Sequence, residues 1–426
     1  MYDPTDDNIR PLDHPQLPVV ASGPVTAADS LPPAVDPVRL RADRLSRLRA
    51  MMREQGLDAV LLFDPYNQRY ATGSRNMFGY FLRNSTRYIY VPAEGPVILF
   101  EYPGSAHVST RLETIDHART SKVVWSSVNG RDTGSAAPFA REIADLVREH
   151  GGGRKVGLDR CFHLLALALE TEGLTVADCN QHILHARRIK TPDEIACLAL
   201  SMAASEAAVA DVERAIRPGR TENDLFATMY GSVIAGGGEF IETRLLSSGP
   251  RTNPWFNEAG SRTIRPGELV ALDTDTIGCN GYYSDFSRTF LCGPGRPSGE
   301  QKTLYRMAYE QVQHNISILK PGMSYREVAE QAWEIPERYY DRRYPSVIHG
   351  VGMHGETPMI AHKGDFDTYS GDGVLEPGMV ASVESYIGEP GGAQGVKLED
   401  EVMITETGVA LISRYPYDDA LLDREW

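Results

Sequence analysis

The sequence is poor in cysteine. It has five, Cys161, Cys179, Cys197, Cys279 and Cys292, scattered and odd in number, with no CxxC pair. That pattern argues against a disulfide framework, and it points to reduced thiols in a cytoplasm. Long apolar runs are also missing. No stretch reaches the ~18 uninterrupted apolar residues of a membrane span, and the opening Met-Tyr-Asp-Pro-Thr-Asp-Asp lacks the basic and apolar regions of a signal peptide. Dense Lys/Arg runs are absent too, and the net charge is −15, which excludes a nucleic-acid backbone as partner. What remains is a soluble globular composition, 42% hydrophobic and 24% charged, over 426 residues. That length predicts two domains.

Residues 1–36 are rich in Pro and Asp without a hydrophobic period and read as an extended or disordered arm. Residues 37–186 alternate helix and strand signals and read as an α/β domain. Expected there are a helix over Val38–Glu54, a strand over Asp58–Phe63, a turn at Asp64–Asn67 and a hairpin around Pro92–Pro96. Nothing in this half assembles a catalytic constellation. Residues 187–426 form the second domain. Its first helix is announced by Thr191 as N-cap, Pro192 in the first turn and Glu194 closing a capping box. Further helices are expected after Thr221, over Gln301–Leu319 and over Ser324–Tyr339.

One stretch of this half carries chemistry. Val270-Ala271-Leu272 leads into Asp273 and Asp275, Cys279-Asn280-Gly281 turns the chain, and Asp285 opens an alternating run to Phe290. Asn-Gly between two such runs is a strong hairpin signal. The hairpin brings three carboxylates together, which costs energy unless a cation sits among them. His349, Glu384 and Glu399 each interrupt an apolar strand-like run, where a charged group is seldom tolerated without a partner or a metal. Five carboxylates and one imidazole suit two divalent ions of the Mn, Fe, Co or Zn kind, bridged by carboxylates, and do not suit a structural zinc site.

These residues carry a resemblance. Tyr282-Tyr-Ser-Asp285-Phe-Ser-Arg-Thr289, His349-Gly-Val-Gly352, Leu375-Glu-Pro-Gly-Met379 and Lys397-Leu-Glu399-Asp resemble the creatinase/prolidase/methionine-aminopeptidase superfamily. The resemblance spans nearly the whole chain. It implies a smaller N-terminal α/β domain, a C-terminal α/β pita-bread catalytic domain and a homodimer. Asp273 and Asp275 stand twelve and ten residues before Asp285, and no histidine lies in Phe240–Phe256; both features resemble the superfamily's metal-dependent dimethylsulfoniopropionate lyases. That branch implies iron as the metal, Asp273, Asp275, Asp285, His349, Glu384 and Glu399 around it, and Tyr344 in the active site. One departure is plain. Where those lyases carry a catalytic aspartate, six residues after the metal histidine, this chain has Gly355. His354 and Glu356 flank the gap as candidate general bases.

Three functions follow. In the first, a lyase takes the proton beside the carboxylate of a small substrate and expels a β leaving group. A sulfonium group would need an aromatic box, for which Trp255, Phe256 and Tyr282 are candidates, and Arg251 is a candidate for the carboxylate. In the second, the same centre hydrolyses an Xaa-Pro peptide or small amide. The third is a binding module, against which the intact ligand set argues.

Overall fold

The computed structural model describes residues 35–109, 111–123, 134–150, 153–160 and 163–424. The arm expected over residues 1–36 falls almost wholly outside them, as does Cys161. The chain clusters into two compact units, one of Asp36–Arg187 and one built on Arg188–Trp426.

Among the described residues, the first unit is a six-stranded sheet with helices on both faces. Its strands are β1 (Ala59–Leu62), β2 (Tyr88–Pro92), β3 (Ile98–Glu101), β4 (His117–Thr120), β5 (Lys155–Leu158) and β6 (Thr175–Asp178), ordered β4-β3-β2-β1-β5-β6. Period two governs the packing. Ala59 and Leu61 enter a core shared with the helix Ala136–His150, while Val60 and Leu62 enter one shared with the helix Pro37–Glu54. The expected turn at Asp64 is instead the start of a helix, Pro65–Thr72. Asp64 caps it by accepting from the backbone N–H of Tyr66, and Pro65 takes the first position, where no N–H is needed.

Among the described residues, the second unit holds three antiparallel sheets. The strands β7 (Phe240–Ile241), β10 (Thr276–Ile277) and β11 (Tyr283–Ser284) form one. A second joins β8 (Leu246–Ser248), β9 (Leu269–Asp273) and β12 (Ser287–Leu291). The third is β14-β13-β15-β16-β17, from β13 (Ser346–Val351), β14 (Gly355–Ala361), β15 (Val380–Gly388), β16 (Gly395–Ile404) and β17 (Val409–Leu411). The capping box at Thr191 and Glu194 is present and opens the helix Pro192–Ala215. That helix is long and apolar enough to cross a membrane by composition, yet 61% of its apolar window is buried in the unit; Met202, Val209 and Val212 sit in the core behind β9 and β12. The helix Gly299–Ile318 covers β15 and β16 through Leu304, Ala308 and Val312. The expected continuous helix over Ser324–Tyr339 is broken into Tyr325–Gln331 and Glu337–Tyr340. Pro336 disfavours helical geometry at Ile335, and the Asn315 side chain accepts from the Trp333 N–H in the gap.

Candidate metal centre

The hairpin forms as its turn residues require. Asn280 and Gly281 both adopt positive φ, 51° and 77°, the conformation an Asn-Gly turn supplies at least cost. β10 and β11 then pair, and β12 returns along β9 with Ser287 opposite Asp273. Asp285, between β11 and β12, donates its backbone N–H to Glu401 and lends its carbonyl to the Ser382 hydroxyl. Those two bonds fasten the hairpin to the five-stranded sheet.

That sheet supplies the other groups. Glu384 of β15 stands directly opposite Glu399 of β16, a like-charge pairing that destabilises a sheet unless a cation separates the two. His349 enters from β13, opposite Ser382. Its Nε2 lies 3.2 Å from Asp285 Oδ2, 3.1 Å from Glu384 Oε1 and 3.5 Å from Glu399 Oε1. Asp275 adopts a left-handed backbone, φ 40°, and accepts from the hydroxyls of Thr243 and Tyr283. Neighbouring Asp400 points to the opposite face and pairs with Arg288 at 2.8 Å. So Asp273, Asp275, Asp285, His349, Glu384 and Glu399 converge on one place.

Their electrostatics are those of crowded, buried negative charge. Burial, and then Asp273, push Asp275 up to about 8. Burial together with Glu399, Asp273 and Asp275 holds Asp285 well above the carboxylate range. Glu399 goes the other way. Despite burial, Lys397 and His349 hold it well below the usual value. Asp285 Oδ1 and Glu399 Oε1 are buried without a hydrogen-bond donor, a costly condition that a cation relieves. Two overlapping donor sets, Asp285 with His349 and Glu399, and Asp273 with Asp275 and Asp285, each keep their ligand atoms within 4.8 Å of one another. Hard oxygen donors with one imidazole fit divalent metal.

The remaining candidates divide. Trp255, Phe256 and Tyr344 line a cavity of about 170 Å³ together with Tyr386, Arg342 and Arg343. Trp255 packs on Tyr386 at 6.1 Å and Phe256 on Tyr344 at 5.4 Å. This cavity abuts the cluster. Tyr386 is two residues beyond Glu384 on β15, and Trp255 contacts Ala271, two residues before Asp273. Tyr282 does not join it, for its hydroxyl donates to Glu194 at 2.8 Å; its neighbour Tyr283 is the tyrosine that reaches the cluster. Arg251 is held by the buried carboxylate of Glu222 and by the Glu258 carbonyl. Glu356 sits in an ion pair with Lys190 at 3.1 Å. His354 is half-buried at the β13–β14 turn, and Gly355 is exposed.

Sequence reasoning passes over Lys397, Ser287 and Glu401. Lys397 and Ser287 contact the carboxylates directly, and Glu401 holds Asp285. The available signal was spacing: residues 397, 399 and 401 alternate onto one strand face.

Comparison with known proteins places this architecture. Residues 196–406 match metallopeptidase family M24, and residues 44–189 match the creatinase/prolidase N-terminal domain. The dimethylsulfoniopropionate lyase DddP of Roseovarius nubinhibens is 37% identical over 94% of this chain and 90% of its own length. The chain belongs to the M24 family. The DddP of Roseobacter denitrificans is 34% identical, covering 92% and 89% of the two chains. Among solved structures, an Xaa-Pro dipeptidase from Bacillus anthracis superposes with a TM-score of 0.71 at 23% identity, over 89% of this chain and 99% of that one. The prolidase from Pyrococcus furiosus gives 0.69 at 23% identity over 86% and 99%. Those two likenesses establish the creatinase N-terminal and pita-bread folds. The M24 chain is an enzyme, of a family whose members depend on divalent metal.

Proposed function

We propose that this M24 enzyme is a metal-dependent carbon–sulfur lyase that converts dimethylsulfoniopropionate to dimethyl sulfide and acrylate. The observation that carries the reading is its likeness to the DddP lyases over nearly the full chain. An aromatic cavity against the carboxylate cluster supports it. Asp273, Asp275, Asp285, His349, Glu384 and Glu399 would hold two divalent ions, with iron tested first and manganese, cobalt and zinc beside it. When bound, such ions supply Lewis acidity to the substrate carboxylate.

The chain's own residues do the rest. The faces of Trp255, Phe256 and Tyr386 receive the sulfonium cation. Phe256 keeps a positive φ of 68°, an outlier for a bulky residue of the kind found at ligand clamps. Tyr344 takes the proton from the carbon next to the carboxylate. The C–H electron pair becomes the double bond, and the C–S pair leaves with sulfur as neutral dimethyl sulfide. Burial and the carboxylates of Glu384, Asp273, Glu399 and Asp285 hold the Tyr344 hydroxyl well above the phenol range. Neutralising those carboxylates would remove the charge part of that push, leaving burial, and the Lys397 ammonium, 4.6 Å from the ring centre, favours the phenolate.

The test is direct. Protein loaded in turn with Fe, Mn, Co or Zn is given dimethylsulfoniopropionate, and headspace dimethyl sulfide is measured. No product with any of the four refutes the substrate. Turnover of Ala-Pro or Gly-Pro dipeptides instead would establish the hydrolase alternative, for which membership of a metallopeptidase family speaks. We also propose a homodimer, as the superfamily resemblance implies, which light scattering of the purified protein checks, and a cytoplasmic location, with which the free thiols of Cys179, Cys197, Cys279 and Cys292 agree.

A further inference from the structure

The most unusual group in the centre is a lysine. Lys397 is fully buried, on the strand that carries Glu399 and opposite Tyr386. Its ammonium bonds to Glu384 Oε2, lies 2.7 Å from Glu399 Oε2 and 2.8 Å from Ser287 Oγ, and stands 3.5 Å from Asp273 Oδ2. Ser287 Oγ is itself 2.8 Å from both Asp273 Oδ1 and Glu399 Oε2. One ammonium therefore touches three of the candidate metal-binding carboxylates.

Burying an ammonium is costly unless it is paired and hydrogen-bonded. Here the ammonium meets three carboxylates of the centre and the Ser287 hydroxyl, with the Tyr344 ring centre 4.6 Å away. A hydrophobic residue would fill the volume with less desolvation, so the charge is what the position provides. Two divalent ions would neutralise four of the five carboxylates, and the ammonium answers the fifth. The directly opposed Glu384 and Glu399 are also bridged by this same group, each through its Oε2, leaving Oε1 of both toward His349.

We propose that Lys397 is a resident cation of the metal centre, tying Glu384 to Glu399 before metal arrives and competing with divalent ions for their oxygens. This rests on the metal-centre reading and not on the choice of substrate. Two consequences follow. The apoprotein depends on Lys397 for stability, and the ammonium weakens metal binding through like-charge repulsion. A residue that merely shaped the ligands would have the opposite effect on affinity when removed.

The experiment compares wild type with Lys397→Met, Lys397→Arg and the double variant Lys397→Met/Glu384→Gln. Thermal unfolding is followed in EDTA and with added Mn²⁺, and metal affinity is measured by competition with a chromophoric chelator. In EDTA, Lys397→Met should melt on the order of 10 °C below wild type, the scale of a broken buried ion pair. Mn²⁺ should raise its melting point by more than it raises that of wild type, with affinity up by about tenfold or more. Lys397→Arg should track wild type. The double variant, which removes one charge of each sign, should recover most of the apo stability even where Lys397→Met does not fold. Unchanged apo stability in Lys397→Met, weaker metal binding in it, or a double variant no more stable than the single one would each overturn the proposal. A wild type that shows no Mn²⁺-dependent shift would instead sink the metal-centre reading, while the comparison in EDTA would still decide the role of Lys397.

Discussion

Glu356 stands beside the position where the lyase resemblance places a catalytic base, and its own role can be decided by breaking its ion pair. Glu356 and Lys190 side chains are each 1% exposed and 3.1 Å apart, and Glu356 also accepts from the Met353 backbone N–H at 3.0 Å. At that separation two unit charges attract by about 5 kcal/mol with an effective dielectric near 20, set against desolvation of both. Removing one partner strands the other, which costs about 3–5 kcal/mol. Lys190→Met should therefore lower the melting temperature by about 10 °C, and Glu356→Gln should do much the same. Removing both charges with Lys190→Met/Glu356→Leu should return most of the loss, since a buried pair replaced by apolar groups of similar volume is close to neutral. Circular dichroism melts at pH 7 give all three values. Headspace assays well below the melting point then give kcat, which for Glu356→Gln should stay within about threefold of wild type. A general base contributes about 10²–10⁴ in rate. A Glu356→Gln protein that melts like wild type but has lost a hundredfold in kcat would refute the ion-pair reasoning and make Glu356 the base. Gly352 gives an independent check, because a Cβ there would come within 2.3 Å of the Glu356 carboxylate, so Gly352→Ala should reproduce the stability loss.

Tyr344→Phe should fold normally and lose at least about a hundredfold in kcat, measured as dimethyl sulfide release; a near wild-type rate would remove it as the proton acceptor. Gly355→Asp should be tolerated, within about 0.5 kcal/mol in a urea melt, because a side chain at that exposed position meets nothing within 4 Å; with Tyr344 as the proton acceptor the lyase rate should stay near that of wild type, and a large rise would show that proton abstraction uses this position. Asp285→Ala should bind fewer ions than wild type by elemental analysis, since both donor sets share it; full stoichiometry would show the ligand assignment to be wrong. His362 is buried beside Arg343, and burial followed by that charge lowers it to about 4. Its folded value lies below the unfolded one near 6.5, so the unfolded chain binds more protons between those values. The contribution of this one group should be complete above pH 6.5 and fall by roughly 3 kcal/mol as the pH drops toward 4. In EDTA, His362→Gln should flatten that slope relative to wild type, and an identical pH profile would refute the assignment.

What the sequence reveals of this site follows from how local each signal is. The hairpin is legible because Asn280-Gly281 and the flanking alternation lie within twenty residues, and the turn needs only their own backbone preferences. The helix at Thr191 is legible for the same reason. Where a distant partner decides, reading stops. Tyr282 and Tyr283 fall on opposite faces of one short segment, and a single-residue shift exchanges them; only the packing of Pro192–Ala215 behind the hairpin sends Tyr282 to Glu194 and leaves Tyr283 for Asp275. Arg251 looks available until Glu222, twenty-nine residues earlier, closes on it. Lys397 is the sharpest case. A lysine in a strand reads as a solvated face, because an isolated buried ammonium is so costly. That cost is lifted only by Asp273, Ser287, Glu384 and Glu399, contributed by β9, β12, β15 and its own strand. Five carboxylates announce that positive charge must enter the site. They do not announce that the chain already carries some of it, and that resident charge is what will set how tightly the centre holds metal.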